Sequence, residues 1–241
     1  MHIFFATPTY KGVTDDNFLN SLEATVEACK ARGWETSFNL VHGCCYVQEA
    51  RNNIVHEFLK SGADVLFFLD DDLGWDVAAA LKLIEMEDDV VGGTYPLKCE
   101  PLNFPVVIFT DPNDRPIVRG DGCIAANGLP TGFLRVKRLV IEMMIAAYPE
   151  YEYEEYDAQG ELKAVKHDLF PQGVHRRRWV GEDYAFCRLW TELRGQLWLV
   201  PDIDFVHNGY VGNYHEYLLR QPGGSKHKEL TDEKSQEKRT K

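Results

Sequence analysis

The sequence predicts a single α/β domain with a mostly parallel central sheet flanked by helices. Short apolar segments alternate with amphipathic helical segments along the first hundred residues, which is typical of parallel sheets covered on both faces. One segment, residues 64–69, is apolar on both faces, as a central strand must be. A length of 241 residues suits one domain of this class.

The order of the elements follows from apolar spacing and from the positions of glycine and proline. In the first half we expect strands at residues 2–7, 34–41, 64–69 and 90–95, and helices at residues 14–32, 47–60 and 76–86. Residues 96–130 are rich in Pro, Gly, Asp and Asn, which predicts loops and short strands. In the second half we expect an exposed hairpin at residues 151–165, helices at residues 139–148 and 183–193, and strands at residues 197–200 and 203–207.

The expected domain covers residues 1–221. The remaining residues, 222–241, are polar, charged and glycine-containing. This composition predicts a disordered tail rather than a further domain.

Composition excludes several classes of function. A formal net charge of −12 disfavours binding to nucleic acid or to anionic lipid. The six cysteines show no CxxC spacing, so we expect free thiols in a reducing cytosol. No stretch approaches the roughly 20 apolar residues of a membrane span, and the N-terminus lacks the features of a signal peptide. We therefore expect a soluble cytoplasmic protein.

The strongest functional signal is a run of three carboxylates, Asp70, Asp71 and Asp72, directly after the apolar strand at residues 64–69. In doubly wound sheets, ligands bind outside the carboxyl ends of the strands, where this run is predicted to lie. Adjacent carboxylates repel one another, and a bound divalent metal is the simplest compensation. The alternative interpretation is that these aspartates cap the helix predicted at residues 76–86.

Arg51 is the second signal. At about 100° per residue, Arg51 points into the apolar face of the helix predicted at residues 47–60, whereas Asn52 lies on the polar side. An arginine that faces the core is costly unless it is paired, so it should meet a carboxylate or a phosphate. A buried ion pair and a direct role at a bound diphosphate or nucleobase are both compatible with this position.

Three weaker signals lie in the second half of the chain. Glu182 and Asp183 open a predicted helix, either as ordinary capping residues or as carboxylates near a substrate, since Glu182 projects toward the apolar arc. His207 lies on the inner face of a predicted strand, where it can be a core histidine or a ligand. The glycine of Thr131-Gly132 permits close backbone approach, but an ordinary bend explains it equally well.

Taken in order, six segments of the chain resemble the GT-A glycosyltransferases, particularly the family-2-like members. The resemblance covers roughly residues 1–215. The six segments are Thr7-Pro8-Thr9-Tyr10, Glu49-Ala50-Arg51-Asn52, Phe67-Phe68-Leu69-Asp70-Asp71-Asp72, Thr131-Gly132-Phe133, Gly181-Glu182-Asp183-Tyr184-Ala185-Phe186 and Val206-His207-Asn208-Gly209.

The resemblance implies that the chain binds a nucleotide-diphosphate sugar, most commonly a UDP-sugar. The implied donor-binding residues are Thr7, Pro8, Thr9, Tyr10, Arg51, Asp70, Asp71, Thr131 and Gly132. Asp70 would face the ribose or the uracil, and Asp71 has no individual role. Asp72 and His207 would bind a divalent metal together with the diphosphate. These ligand types suit Mn²⁺, with Mg²⁺ as the alternative.

The resemblance also implies the reaction. Asp183 looks like the catalytic base, with Glu182 as the competing candidate, and the base would deprotonate the acceptor hydroxyl as it attacks the anomeric carbon. The metal would stabilise the leaving diphosphate. The acceptor would be a carbohydrate or another hydroxyl compound, and the hairpin at residues 151–165 would be a solvated edge or a flap over it.

Two further expectations concern how the sugar is transferred. The Q-x-x-R-W sequence of processive polysaccharide synthases is missing after Asp183, which favours an enzyme that adds one sugar. Inversion at the anomeric carbon is expected, although retention also occurs on GT-A scaffolds.

Two other functions stay open from the sequence. Residues 68–72 also resemble the first motif of haloacid-dehalogenase-like phosphohydrolases, in which Asp70 would be the nucleophile. Leu73 and Gly74 match the continuation of that motif poorly. The other possibility is a non-catalytic nucleotide-sugar binding protein on the same scaffold.

Overall fold

A computed structural model describes residues 1–12 and 14–221 of the chain. Within these ranges, the helices are α1 (Asp16–Ala31), α2 (Val47–Ser61), α3 (Val77–Glu85), α4 (Arg138–Ala147), α5 (Glu182–Glu192) and α6 (Tyr214–Arg220). The strands are β1 (His2–Thr9), β2 (Glu35–His42), β3 (Val65–Leu69), β4 (Leu73–Trp75), β5 (Val90–Gly92), β6 (Val107–Ile108), β7 (Ile124–Gly128), β8 (Phe133–Lys137), β9 (Glu152–Tyr156), β10 (Leu162–His167), β11 (Gly173–His175), β12 (Arg178–Val180), β13 (Leu197–Leu199), β14 (Asp204–His207) and β15 (Tyr210–Asn213). The tail predicted at residues 222–241 lies outside the described residues, so the domain boundary stays a prediction.

The central sheet has eight strands in the order β2-β1-β3-β8-β5-β13-β7-β6. Six of these strands run in one direction, and β7 and β8 run in the other. The predicted fold class, an α/β domain with a mostly parallel sheet, is therefore confirmed. The antiparallel strand β8 was not expected from the sequence, and it lies between β3 and β5 at the middle of the sheet.

Helices cover both faces of this sheet, because the strand side chains alternate between two apolar layers. In β1, Phe4 and Ala6 pack on the side that holds α2, α4 and α5. Ile3 and Phe5 pack on the side that holds α1 and α3. The result is a three-layer core in which β3 is buried along its whole length, as its composition predicts.

The predicted helices end within two residues of their expected bounds, and local chemistry explains where they stop. Gly62 follows α2 with a φ of 71°, a left-handed conformation that glycine adopts without strain. The side chain of Asp76 accepts a hydrogen bond of 2.8 Å from the Ala78 N–H and caps α3. Because Asp76 performs this role, the three aspartates before it are not the cap of this helix.

The strand predicted at residues 203–207 forms, but it belongs to a second sheet. In this sheet β14 lies between β15 and β4, and Leu73 of β4 is the register partner of His207. The pairing holds the segment after Asp72 against the end of β14. Strands β4, β11, β12 and β15 and helix α6 were not predicted from the sequence, whereas the hairpin expected at residues 151–165 is confirmed as β9 and β10.

In the part of the chain that the structure describes, none of the helices combines the length and the apolar character that a bilayer crossing requires.

One buried arginine holds the turn after α3. Arg135 of β8 is fully buried, and its guanidinium donates hydrogen bonds to the backbone carbonyls of Leu83, Met86 and Asp88, at 2.9 Å for Leu83. These carbonyls lie at and beyond the C-terminal end of α3, where the helix provides no N–H partners. Arg135 therefore fastens α3 and the turn leading to β5 onto the central sheet.

Replacing Arg135 with Met should lower the free energy of unfolding by about 3 kcal/mol or more, because three backbone carbonyls lose the hydrogen bonds that its fully buried guanidinium donates. Urea denaturation at pH 7 measures the change. The matched control is Arg220→Met, since Arg220 is 72% exposed and pairs with Glu216. The control should change stability by less than about 0.5 kcal/mol. Equal losses in the two variants would contradict this role for Arg135.

Candidate functional site

The candidate site is centred on Arg51, whose guanidinium is surrounded by carboxylates from three parts of the chain. Arg51 is 3% exposed and projects from α2. It donates hydrogen bonds to Glu182, at 2.7 Å, and to Asp183, and its NH2 group lies 3.5 Å from Asp70. The expectation that Arg51 faces the core and meets a carboxylate is confirmed. One positive charge thus holds three carboxylates together.

Asp70 is enclosed at the end of β3. Its Oδ2 accepts a hydrogen bond of 2.9 Å from the Tyr95 hydroxyl, while Oδ1 faces Arg51. Burial raises the pKa of Asp70 above its ordinary value, and the positive charge of Arg51 only partly opposes this effect. Asp70 therefore depends on Arg51 to remain ionised.

Gly132 makes this enclosure possible. A Cβ atom at Gly132 would lie 2.2 Å from Asp70 Oδ2 and 2.3 Å from the Tyr95 hydroxyl oxygen, so any side chain would collide with them. The Gly132 carbonyl also accepts a hydrogen bond of 2.9 Å from the Asp70 N–H. Of the two explanations offered by the sequence, close backbone approach is the correct one.

Thr131 orients Asp183. Thr131 is fully buried, and its hydroxyl donates a hydrogen bond to Asp183 Oδ1, the same oxygen that Arg51 contacts. The other oxygen, Oδ2, has no hydrogen-bond donor among the described residues. Asp183 is therefore fixed by two donors at one oxygen and open at the other, and its side chain is 27% exposed.

Asp72 and His207 form a second group beside this centre. His207 Nε2 lies 3.4 Å from Asp72 Oδ1, and His207 Nδ1 lies 2.6 Å from the Pro96 carbonyl oxygen. Lys98 contacts the other oxygen of Asp72. Burial alone would raise the pKa of Asp72, but hydrogen bonds from His207 and Lys98 lower it to about 2. Asp72 is therefore ionised and attracts cations.

Asp71 and Thr9 connect the acidic run to a cavity of about 200 Å³. Asp71 is hydrogen-bonded to the Thr9 side chain, which partly opposes the rise in the pKa of Asp71 caused by burial. The cavity is lined by Pro8, Thr9, Tyr10, Cys44, Cys45, Val47 and Ala50. The lining residue Ala50 directly precedes Arg51 in α2. Three of the four donor-binding residues predicted in β1 and just after it, Pro8, Thr9 and Tyr10, also line the cavity.

Thr7 does not line this cavity. It is fully buried within β1, which extends two residues beyond the predicted strand end, and its hydroxyl has no hydrogen-bond partner among the described groups. A larger cavity of about 450 Å³ lies at the opposite edge of the sheet, beside Asp89 and Gln196, which precede β5 and β13. None of the predicted site residues lines it.

Several residues of the site were missed by the sequence reasoning. Tyr95 and Lys98 follow β5 and contact Asp70 and Asp72, respectively, but the proline between them indicated only a strand end.

Asn52, expected on the polar face of its helix, is 4% exposed. The side-chain NH2 group of Asn52 donates a hydrogen bond of 2.7 Å to Asp168, and its amide oxygen accepts one of 3.0 Å from the backbone N–H of Leu169. A helical wheel cannot reveal that a neighbouring loop covers the polar face.

The described residues contain no group of three or more His, Cys, Asp or Glu side chains arranged to hold a metal ion. The predicted metal site therefore has two protein ligands at most, Asp72 and His207, and the remaining ligands would have to come from a bound substrate or from water.

Comparisons with known proteins find no matching family model and no similar curated protein. Solved structures with similarity include A197 from STIV, with 18% identity over 86% of this chain and 85% of A197 and a TM-score of 0.49. GalNAc-T7, solved with UDP, GalNAc and Mn²⁺, shows 11% identity over 86% of this chain and 44% of that chain, with a TM-score of 0.47. S. aureus TarS, residues 1–349, shows 15% identity over 83% of this chain and 58% of that chain, with a TM-score of 0.41. All three TM-scores lie below 0.5, so function is inferred from the geometry of this chain.

Replacing Arg51 with Met should destabilise the protein by about 3 kcal/mol at pH 7, because three partly buried carboxylates lose their counter-charge. The loss should be smaller near pH 4.5. Removing Arg51 raises the pKa of Asp70 further, and a raised carboxyl pKa lowers stability progressively as pH rises above the unfolded value. Urea denaturation between pH 4.5 and 7.5 measures the difference from the parent protein.

The double variant Arg51→Met/Asp70→Asn is the matched comparison, because the amide cannot ionise. It should show a weaker dependence of the stability loss on pH than Arg51→Met. A stability loss that is constant with pH in both variants would contradict the electrostatic role of Arg51.

Proposed function

We propose that this protein is a metal-dependent glycosyltransferase of the GT-A type, which moves one sugar from a nucleotide-diphosphate sugar to an acceptor hydroxyl. The observation that carries the proposal is the juxtaposition, at one edge of the sheet, of the Asp72–His207 pair and an oriented carboxylate, Asp183. The first group suits a leaving diphosphate with its cation. The second suits proton removal from an attacking hydroxyl.

The Asp72–His207 pair fits a divalent cation. The His207 Nδ1 atom faces a carbonyl oxygen, so Nδ1 carries a proton, and a neutral ring then presents a lone pair at Nε2. A proton between Nε2 and Asp72 Oδ1, which lie 3.4 Å apart, gives the hydrogen bond that lowers the pKa of Asp72, and a divalent cation would take the place of that proton. One imidazole nitrogen and carboxylate oxygens suit Mn²⁺, with Mg²⁺ as the alternative. When bound, the metal would supply Lewis-acid stabilisation of the diphosphate.

The donor nucleotide is proposed to occupy the 200 Å³ cavity bordered by Pro8, Thr9 and Tyr10. Tyr10 is 67% exposed and offers an aromatic face to a base. A UDP-sugar is the donor that we favour. Arg51 and Thr131 are buried and bonded to protein carboxylates, so their proposed contribution to donor binding is to position Asp70 and Asp183.

Asp183 is the proposed catalytic base, and Glu182 is the competing candidate. Two donors hold Asp183 Oδ1, which leaves Oδ2 to accept the proton of the acceptor hydroxyl. The acceptor oxygen then forms its bond to the anomeric carbon as the bond from that carbon to the diphosphate oxygen breaks, with inversion. Glu182 is less firmly oriented than Asp183, because among the described residues only Arg51 donates a hydrogen bond to its carboxylate.

The phosphohydrolase alternative receives no support from the geometry. Its nucleophile would be Asp70, but one Asp70 oxygen faces Arg51 and the other accepts the Tyr95 hydroxyl. A carboxylate held on both oxygens cannot readily attack a phosphorus atom.

A thermal-shift panel of nucleotide sugars, with and without Mn²⁺, tests the proposal directly. We expect one donor to raise the melting temperature in the presence of Mn²⁺, because binding to the folded state alone stabilises it. Assays of donor hydrolysis and of sugar transfer then follow for that donor. Phosphate release from simple esters without any nucleotide-sugar response would contradict the proposal, and so would donor binding without hydrolysis or transfer.

Replacing Asp72 with Asn should abolish the Mn²⁺-dependent part of donor binding, because the amide is a weaker metal ligand than the carboxylate. Isothermal titration calorimetry measures the affinity with and without Mn²⁺. Asp204→Asn is the control, since Asp204 is exposed at the start of β14 and bonds only Asn213. Unchanged Mn²⁺-dependent affinity in Asp72→Asn would refute the ligand assignment.

Replacing Asp183 with Asn should leave donor affinity within about threefold and reduce kcat by about 10²–10⁴, the usual contribution of general base catalysis. Glu182→Gln is the matched variant from the neighbouring position and should retain more activity. Single-turnover transfer assays with saturating donor measure both. Persistent transfer in Asp183→Asn, together with loss in Glu182→Gln, would assign the base to Glu182.

A further inference from the structure

A short hairpin directly before the candidate base carries three unpaired arginines. It is formed by β11 and β12 and is defined here as residues 173–180. Arg176, Arg177 and Arg178 are exposed, and none of their side chains forms a hydrogen bond or an ion pair within residues 1–12 and 14–221. Most other arginines of the described chain do pair with carboxylates, namely residues 32, 51, 115, 119, 138, 188 and 220.

This concentration of positive charge is unusual in such an acidic chain. The protein has 38 Asp and Glu residues against 26 Lys and Arg residues. Three consecutive arginines without carboxylate partners therefore form a local positive surface in a molecule of net negative charge. The chain is rich in carboxylates, yet none of them pairs with these three arginines within the described residues. The hairpin is therefore suited to an anion that comes from outside the chain.

The backbone of the hairpin tip is also strained. Arg176 and Arg177 have φ values of 48° and 66°, the left-handed region that two-residue hairpin turns normally fill with Asn-Gly. A side chain other than Gly, Asn or Asp in this conformation costs about 1 kcal/mol or more. Both side chains are exposed, so packing does not explain why arginines stand there.

An aromatic side chain lies beside the positive tip. Trp179 is 70% exposed and pairs across the hairpin with Val174, which is 75% exposed. The C–H face of a sugar ring packs well on an open indole, and arginine forks bind carboxylate or phosphate groups with two parallel hydrogen bonds. Trp179 and Val174 share one face of the hairpin, next to the turn arginines Arg176 and Arg177, whereas Arg178 projects from the opposite face. The turn and this face together offer both of the contacts that a charged sugar chain requires.

The hairpin is within reach of the proposed chemistry. Trp179 precedes Glu182 by three residues, so their Cα atoms are separated by at most about 11 Å. A distance of this size is within the span of a short oligosaccharide. A chain that contacts the hairpin can therefore extend to Asp183 at the start of α5.

We propose that the hairpin of residues 173–180 is an acceptor subsite, which binds an anionic glycan through Arg176, Arg177 and Trp179, with Arg178 adding to the positive charge of the hairpin. The inference rests on the proposed glycosyltransferase function and adds the chemical class of its acceptor. Nucleic acid is disfavoured because a long polyanion would extend beyond this one positive hairpin onto a molecule of net charge −12, whereas a short anionic glycan need not. A lipid surface is disfavoured because the hairpin exposes only two large apolar side chains.

The test compares binding of a hexasaccharide of polygalacturonate with binding of maltohexaose, a neutral chain of equal length, by calorimetry on the full chain. We expect the acidic chain to bind at least about tenfold more tightly, since charge-assisted hydrogen bonds are lost with the neutral one. A phosphate-bearing oligosaccharide serves as a further arm, which separates preference for phosphate from preference for carboxylate. Either preference supports the subsite.

The variant Arg176→Asn/Arg177→Gly/Arg178→Gln removes the positive charge and suits the turn conformation, so the fold should be retained. It should weaken binding of the acidic chain by about tenfold or more. Arg32→Gln/Arg115→Gln/Arg220→Gln removes the same charge elsewhere and should leave binding within about twofold. Trp179→Ala should weaken binding of both the acidic and the neutral chain.

Equal losses in the two triple variants would overturn the proposal, and so would equal binding of acidic and neutral chains. Tighter binding of a single-stranded oligonucleotide or of vesicles with anionic lipid than of the acidic glycan would also overturn it. The thermal shift with donor and Mn²⁺, measured on the same variants, should stay unchanged. If the parent protein shows no thermal shift with any donor and Mn²⁺, the glycosyltransferase proposal is overturned instead. The two failures can be distinguished, because glycan affinity is measured by calorimetry without the donor.

Discussion

The site depends on one electrostatic constraint: a single buried guanidinium must balance three carboxylates that come from distant parts of the chain. Asp70 lies at the end of β3, and Glu182 and Asp183 lie at the start of α5, more than a hundred residues later. Backbone pairing does not bring β3 and α5 together, since β3 pairs with β1 and β8. Arg51, which projects from α2 between them, is what makes their approach favourable. The acidic groups are therefore held together only where α2 is packed in its place.

The acidic groups are also positioned by close packing around Gly132 and Thr131, in addition to the charge of Arg51. Strand β8 runs antiparallel beside β3, so the residue before it, Gly132, meets the residue after β3, Asp70. The lack of a Cβ leaves room for the Tyr95 hydroxyl to reach the same carboxylate. Thr131 then directs the neighbouring Asp183. Two adjacent residues thus fix two acidic side chains in different ways: Asp70 is contacted at both oxygens, whereas Asp183 is held at one.

Much of this arrangement could be predicted because it follows local rules. The alternation of strands and helices, the burial of β3 and the inward direction of Arg51 are all consequences of periodicity. The position of β8 could not be predicted, since its place between β3 and β5 depends on pairing between segments that are distant in sequence. The same limit applies to Asn52, which a loop buries, and to Lys98, whose role depends on where the chain turns after Tyr95. The hairpin at residues 173–180 was missed because a turn made of arginines lacks the usual Asn-Gly signal.

The register between β4 and β14 has a consequence for how the chain can change in evolution. Leu73 stands opposite His207, so the spacing of Asp72 and His207 is set by two short strands and not by the 130 or so residues between them. Loops in that intervening stretch can gain or lose residues without separating the pair. A single insertion within β14, by contrast, would turn His207 to the opposite face of its sheet, and one within β4 would move Asp72 out of register with His207. Homologous chains should therefore vary widely in length between these strands and hardly at all within them.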